Sequence, residues 1–143
     1  MQTETPVVPL TAEQVITDTV NFYEADPSRR AVVRGPCIYL TTDGRRCAVG
    51  RYMRPGPWQT SLGDYCALMD DCRENHEGSP LVPEATHLPD GLWLGLQEYH
   101  DGGTAGSAVD WPSPGVRRDL ITDLWQAHCA APMPDFKFHG EEP

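Results

Sequence analysis

Three helix-start signals constrain this chain more than any other feature. Thr11-Ala-Glu-Gln14 is a capping-box pattern, in which the Thr11 hydroxyl accepts from the amide three residues on and Gln14 reaches back. Val15, Ile16, Val20 and Tyr23 then recur at helical spacing until Asp26-Pro27 ends the run, which predicts a helix over about 12–25. Pro89 stands where a first helical turn tolerates proline. Leu92, Trp93, Leu96 and Tyr99 form the stripe behind it, and Gly102-Gly103 closes it. Ser113-Pro114 reads as an N-cap and first-turn pair, and Val116, Leu120, Ile121, Leu124, Trp125 and His128 predict a helix over about 114–130. Between these, Leu62, Tyr65, Cys66, Met69, Cys72 and His76 keep a period near 3.6 and predict a further helix over about 62–76, stopped by Gly78.

One stretch reads differently. In "CIYLTTDGRRCAVG", residues 37–50, short apolar runs flank Asp43-Gly44, and both residues of such a pair tolerate positive φ. The pattern predicts a β-hairpin with Asp43-Gly44 exposed. A lone two-stranded ribbon does not persist in water, so it is expected to pack on the helix after Pro89 through Ile38, Leu40 or Val49. Neither turn register sets Cys37 across from Cys47, so a disulfide between them is not expected. The fold class that follows is α+β: a mostly helical single domain of about four helices plus one two-stranded β-hairpin. It spans residues 1–131, and 132–143 form a C-terminal tail, loose or docked through Phe136 and Phe138. At 143 residues, one domain buries enough surface to need no disulfide or metal staple.

Charge narrows the partners. The net charge is −10 and is segregated along the chain. Residues 27–58 hold seven arginines against one acid, whereas residues 59–110 hold ten acids against Arg73. Such acidity argues against non-specific nucleic-acid binding, which needs basic surface to release counterions. No segment approaches the ~18 apolar residues of a membrane span. The first ten residues lack the basic and apolar regions of a signal peptide. The five cysteines are odd in number and scattered, which reads as reduced thiols in a cytoplasmic setting.

Four constellations carry chemistry. Arg34, Arg45, Arg46, Arg51 and Arg54 cluster around the expected hairpin, and their planar forks suit a phosphate or carboxylate ligand. Pairing with the acidic segment is the competing use of those charges. Asp70, Asp71, Glu74 and Glu77 form an acidic surface fit for a partner protein. Cys47 lies among arginines that favour a thiolate, and His100-Asp101 supplies an imidazole, so a thiol nucleophile is one reading and a small buried core residue the other. Cys72 and His76 stand one helical turn apart, and Cys37 and Cys47 would complete a Cys3His set. Paired Cys-x2-Cys units are missing, and these cysteines fit helix and strand faces, so no metal site and no cofactor are expected. Trp58 and Trp111 fall in Pro-rich loops, where packed loop anchors are expected.

The patches "CIYLTTDGRRCAVGRYM" and "LPDGLWLGLQEYHD" resemble a group of small uncharacterised bacteriophage and prophage proteins. The shared positions are Cys37, Tyr39, Gly44, Cys47, Ala48, Val49 and Gly50, then Leu96, Gln97, His100 and Asp101, within an overlap of roughly residues 12–128. Where the group has Gly-His or Gly-Cys, this chain has Gly50-Arg51. The resemblance implies a mobile element acting inside a bacterial cell and implies no chemistry. The expected function is a non-enzymatic cytosolic interaction protein of phage type. It would bind a host protein through the acidic surface, or a small phosphorylated ligand through the arginine hairpin. The alternative is a Cys47/His100 thiol hydrolase or transferase.

Overall fold

The first helix is set by its cap. Thr11 N–H donates to Gln14 Oε1 at 2.8 Å and Gln14 N–H donates to Thr11 Oγ1 at 3.1 Å, the reciprocal box that the sequence predicts. Helix α1 then runs Ala12–Ala25. At its end Asp26 is extended, and its carboxylate accepts from both the amide and the hydroxyl of Ser28, which turns the chain into the short 3-10 segment Pro27–Arg29. Helix α2 is Asp90–Asp101 and helix α3 is Pro114–His128. Ser113 caps α3, its hydroxyl accepting from the Val116 amide, with Pro114 in the first turn. The computed structural model describes residues 8–30, 45–55, 69, 79–101 and 111–141. The helix expected over 62–76 lies outside them except for Met69, which is helical and half-buried.

Close approaches give the register. Gly91 faces the His128 ring, and a Cβ at Gly95 would run into Leu124 Cδ1, so α2 and α3 lie antiparallel in steps of one turn. Glu24 near the end of α1 meets Arg117 near the start of α3, while Glu13 at the other end of α1 is within electrostatic reach of Cys129, just past the end of α3, so α1 is antiparallel to α3 as well. Val15, Ile16, Val20 and Tyr23 of α1, Leu92, Trp93, Leu96 and Tyr99 of α2, and Ile121, Leu124 and Trp125 of α3 form the core between them. Each such aliphatic side chain contributes about 1.5–3 kcal/mol on burial. Val116, expected on the α3 stripe, is 47% exposed instead.

The α+β expectation is overturned: among the described residues the fold is helical, with no β-strand and no hairpin. The second arm of the expected hairpin is a turn. Arg46 makes one isolated bridge, to Arg30, and the carbonyls of Cys47, Val49 and Gly50 accept from Arg51, Tyr52 and Met53. The chain thus winds into the 3-10 segment Gly50–Tyr52. Cys47, Ala48, Val49 and Gly50 are all buried, an inward run that a ribbon with alternating faces cannot make. Their small side chains let the turn tuck into the helical core. Residues 37–44, including Asp43-Gly44, lie outside the described residues. A second strand-like contact among the described residues is an isolated bridge between Met53 and Leu81, flanked by Arg54 N–H to Pro80 O and Val82 N–H to Tyr52 O, both 2.8 Å.

The last segment is docked. Phe136 and Phe138 are buried while Asp135, Lys137 and His139 face solvent, and the Trp125 indole N–H donates to Ala131 O at 2.7 Å. Of the two expectations for the tail, loose or docked through Phe136 and Phe138, the burial of both rings is the docked one.

Candidate functional site

The nucleophile–base pair read from the sequence is enclosed. Cys47 has no exposed surface, and its sulfur accepts the Gly50 amide at 3.2 Å. His100 is 1% exposed and its ring lies edge-on to Tyr23, 5.0 Å between centroids. Tyr23 in turn donates its hydroxyl to Arg46 O at 2.6 Å. Asp101 is the last residue of α2. A buried thiol in this setting packs as a small apolar residue; a nucleophile needs access for its substrate.

Three of the described arginines of that set take separate partners. Arg45 donates to Arg30 O. Arg46 is exposed. Arg51 pairs with Asp18 at 3.0 Å and lies over the Phe22 ring at 3.9 Å. Arg54 donates twice to Ser79 O, at 3.0 and 2.6 Å. Arg34 lies outside the described residues, as do Asp70, Asp71, Glu74 and Glu77. Among the described residues, no group of three or more His, Cys, Asp or Glu is placed to hold a metal ion, and Cys47 and Cys129 are free thiols.

The structure instead assembles a buried charged centre that the sequence reading missed. Arg117 holds Glu24 through a two-pronged contact, Nη2 to Oε1 at 2.9 Å and Nε to Oε2 at 3.0 Å, with both side chains at most 5% exposed. Tyr99 donates its hydroxyl to Glu24 Oε2 at 2.6 Å, and the His139 amide donates to Oε1 at 2.7 Å. Arg117 also donates to the carbonyls of Pro112 and His139 and lies over the Trp111 ring at 4.2 Å. Burial and the Glu24 carboxylate push the Tyr99 hydroxyl far above its ordinary range. Arg30, 4% exposed, covers Trp111 at 4.7 Å and donates to His100 O. The signal for this centre was present: Glu24 falls four residues after Val20, and Arg117 four before Ile121. Opposite charges thus stand on two core stripes. Every polar atom named here has a partner, so the centre ties α1, α2, α3 and the C-terminal segment together.

Among the described residues, an open groove of about 580 Å³ lies between α1 and the C-terminal segment. One wall is two lanes of α1, Glu13-Thr17-Asn21 and Gln14-Asp18, each spaced by four residues. The other wall is Trp125, Ala131, Pro132 and Pro134. Asp18 takes Arg51 and the Tyr52 hydroxyl on Oδ2. Burial, then the Asp18 carboxylate, raises the Tyr52 hydroxyl well above its ordinary value. Glu13 has no hydrogen-bond or ion-pair partner among the described residues, and beside it burial and the Glu13 charge push the Cys129 thiol up to about 11. The groove thus presents carboxylate and amide groups on one side and an apolar, proline-stiffened side opposite. No family model, no curated protein and no solved structure matches the chain.

Proposed function

We propose that this chain is a non-enzymatic interaction protein that takes a segment of a partner protein into the groove between α1 and residues 131–134. The groove itself carries the reading. It is concave, it joins hydrogen-bonding groups to an apolar wall, and its shape is set by the docked C-terminal segment rather than by a mobile loop. The thiol-hydrolase alternative is not carried forward, because Cys47 and His100 are enclosed. Nor does a small phosphorylated ligand find converging arginines among the described residues. No helix among the described residues is long and apolar enough to cross a membrane, and the two described cysteines are free thiols, which supports a reducing, cytosolic setting.

The test is a synthetic array of hexapeptides of balanced composition, probed with wild-type protein and with Thr17→Trp, which fills the groove from the α1 side. Wild type is expected to bind a subset of peptides that the plugged variant does not bind. No binding by wild type, or binding that the plug leaves intact, overturns the proposal.

A further inference from the structure

Resting on the binding reading above, we infer that the occupant of the groove is a basic, extended segment, with Lys or Arg directed at α1 and apolar side chains against the proline wall. Three observations carry this. First, the α1 wall holds Glu13 and Asp18, and none of the residues lining the groove is basic. Arg51 reaches Asp18 on one carboxylate oxygen alone, Oδ2, and the Glu13 carboxylate is unpartnered among the described residues. An anionic segment would meet uncompensated like charge here, whereas a cationic one gains on approach and when seated. Second, the opposite wall is an indole whose N–H is already given to Ala131 O, a methyl and two proline rings, so it offers no free hydrogen-bonding side chain. An occupant lying between these walls needs two chemically different faces. An extended chain supplies them by alternation, since successive side chains point to opposite sides. Third, the length fits. Glu13 to Asn21 spans about 12 Å of helix at ~1.5 Å per residue. At roughly 3.3 Å per residue an extended segment covers this with about four residues. The minimal occupant is therefore a short linear motif of alternating basic and apolar residues.

The same hexapeptide array tests the class through its winners. Peptides bound by wild type are expected to be enriched in Lys or Arg at alternate positions. Glu13→Gln is expected to weaken the best of them several-fold, and Glu13→Gln with Asn21→Lys roughly tenfold or more, the scale of losing or reversing exposed charge pairs. Asp18 is left intact so that its contacts to Arg51 and Tyr52 persist, and circular dichroism checks that each variant is folded. Raising salt from 50 to 500 mM should reproduce the loss in wild type. Winners that are neutral or acidic, or that ignore both Glu13 variants and salt, overturn the basic-segment inference while leaving the groove a binding site. An array with no winners overturns the underlying proposal instead.

Discussion

Replacing Glu24 by glutamine keeps the shape of the buried centre and removes one charge, which leaves the Arg117 guanidinium enclosed without its counter-ion. Breaking a buried pair by removing one partner costs ~3–5 kcal/mol, mostly the penalty of the charge left behind. Arg117 would retain the carbonyls of Pro112 and His139 and the Trp111 face, which places the loss near the lower bound, about 3 kcal/mol. Arg117→Met should cost about as much, because Glu24 keeps the Tyr99 hydroxyl and the His139 amide but loses its cation. The double variant carries neither charge, so it should lose roughly 2 kcal/mol less than the sum of the two. With a urea slope of ~2 kcal/mol per molar, each single change moves the unfolding midpoint down by about 1.5 M. Urea unfolding followed by tryptophan fluorescence on the four proteins closes the cycle. A Glu24→Gln loss under about 1 kcal/mol, or singles that add within about 0.5 kcal/mol, would refute the view that this pair locks the three helices.

Other consequences are independent of that centre. Gly95→Ala should destabilise the protein by about 1 kcal/mol, measured as a lower thermal midpoint, because the gain in helix propensity is outweighed by the push on Leu124. Cys129, with its thiol near 11 rather than the ordinary 9.0, should be alkylated at pH 8 roughly 100-fold more slowly than a free cysteine, read by mass spectrometry of the peptide that contains it. The Glu141 carboxyl is held below its ordinary 4.5 by its hydrogen bonds from Arg118. Its folded form favours the charged state, so its contribution is present above about pH 4.5 and is lost as pH falls through the lower folded value. Wild type and Glu141→Gln should therefore differ in stability at pH 7 and converge toward pH 3, and a difference that grows on acidification would contradict the pairing.

Much of the helical frame was legible in the sequence because its signals are local. The Thr11-Gln14 box, the Ser113-Pro114 start and the stripe from Leu92 to Tyr99 each depend on neighbours within a turn or two, and each stands where the periodicity predicts. The turn at Cys47–Gly50 was misread for the complementary reason. Short apolar residues after Asp-Gly look the same whether they pair with a strand or tuck into a core, and tertiary burial decides between them. The Glu24–Arg117 pair joins residues far apart in the chain, so spacing alone could mark each as an oddity on its own stripe but could not bring them together. The groove is harder still to foresee, since its walls come from α1, α3 and an irregular segment. The docking of Phe136 and Phe138 and the hydrogen bond from the Trp125 indole to Ala131 O together bring Pro132 and Pro134 opposite Glu13.

The central claim is that the α1 groove is where this protein meets its partner, and amide and indole chemical-shift mapping reads that directly. Wild-type protein labelled with nitrogen-15 would be titrated with the tightest hexapeptide from the array. The account predicts saturable shifts confined to the amides of Glu13, Thr17 and Asn21 and the indole N–H of Trp125. Shifts centred on Arg45, Arg46 and Arg54, with the groove resonances unmoved, would contradict it and return the arginines to the role of binding site.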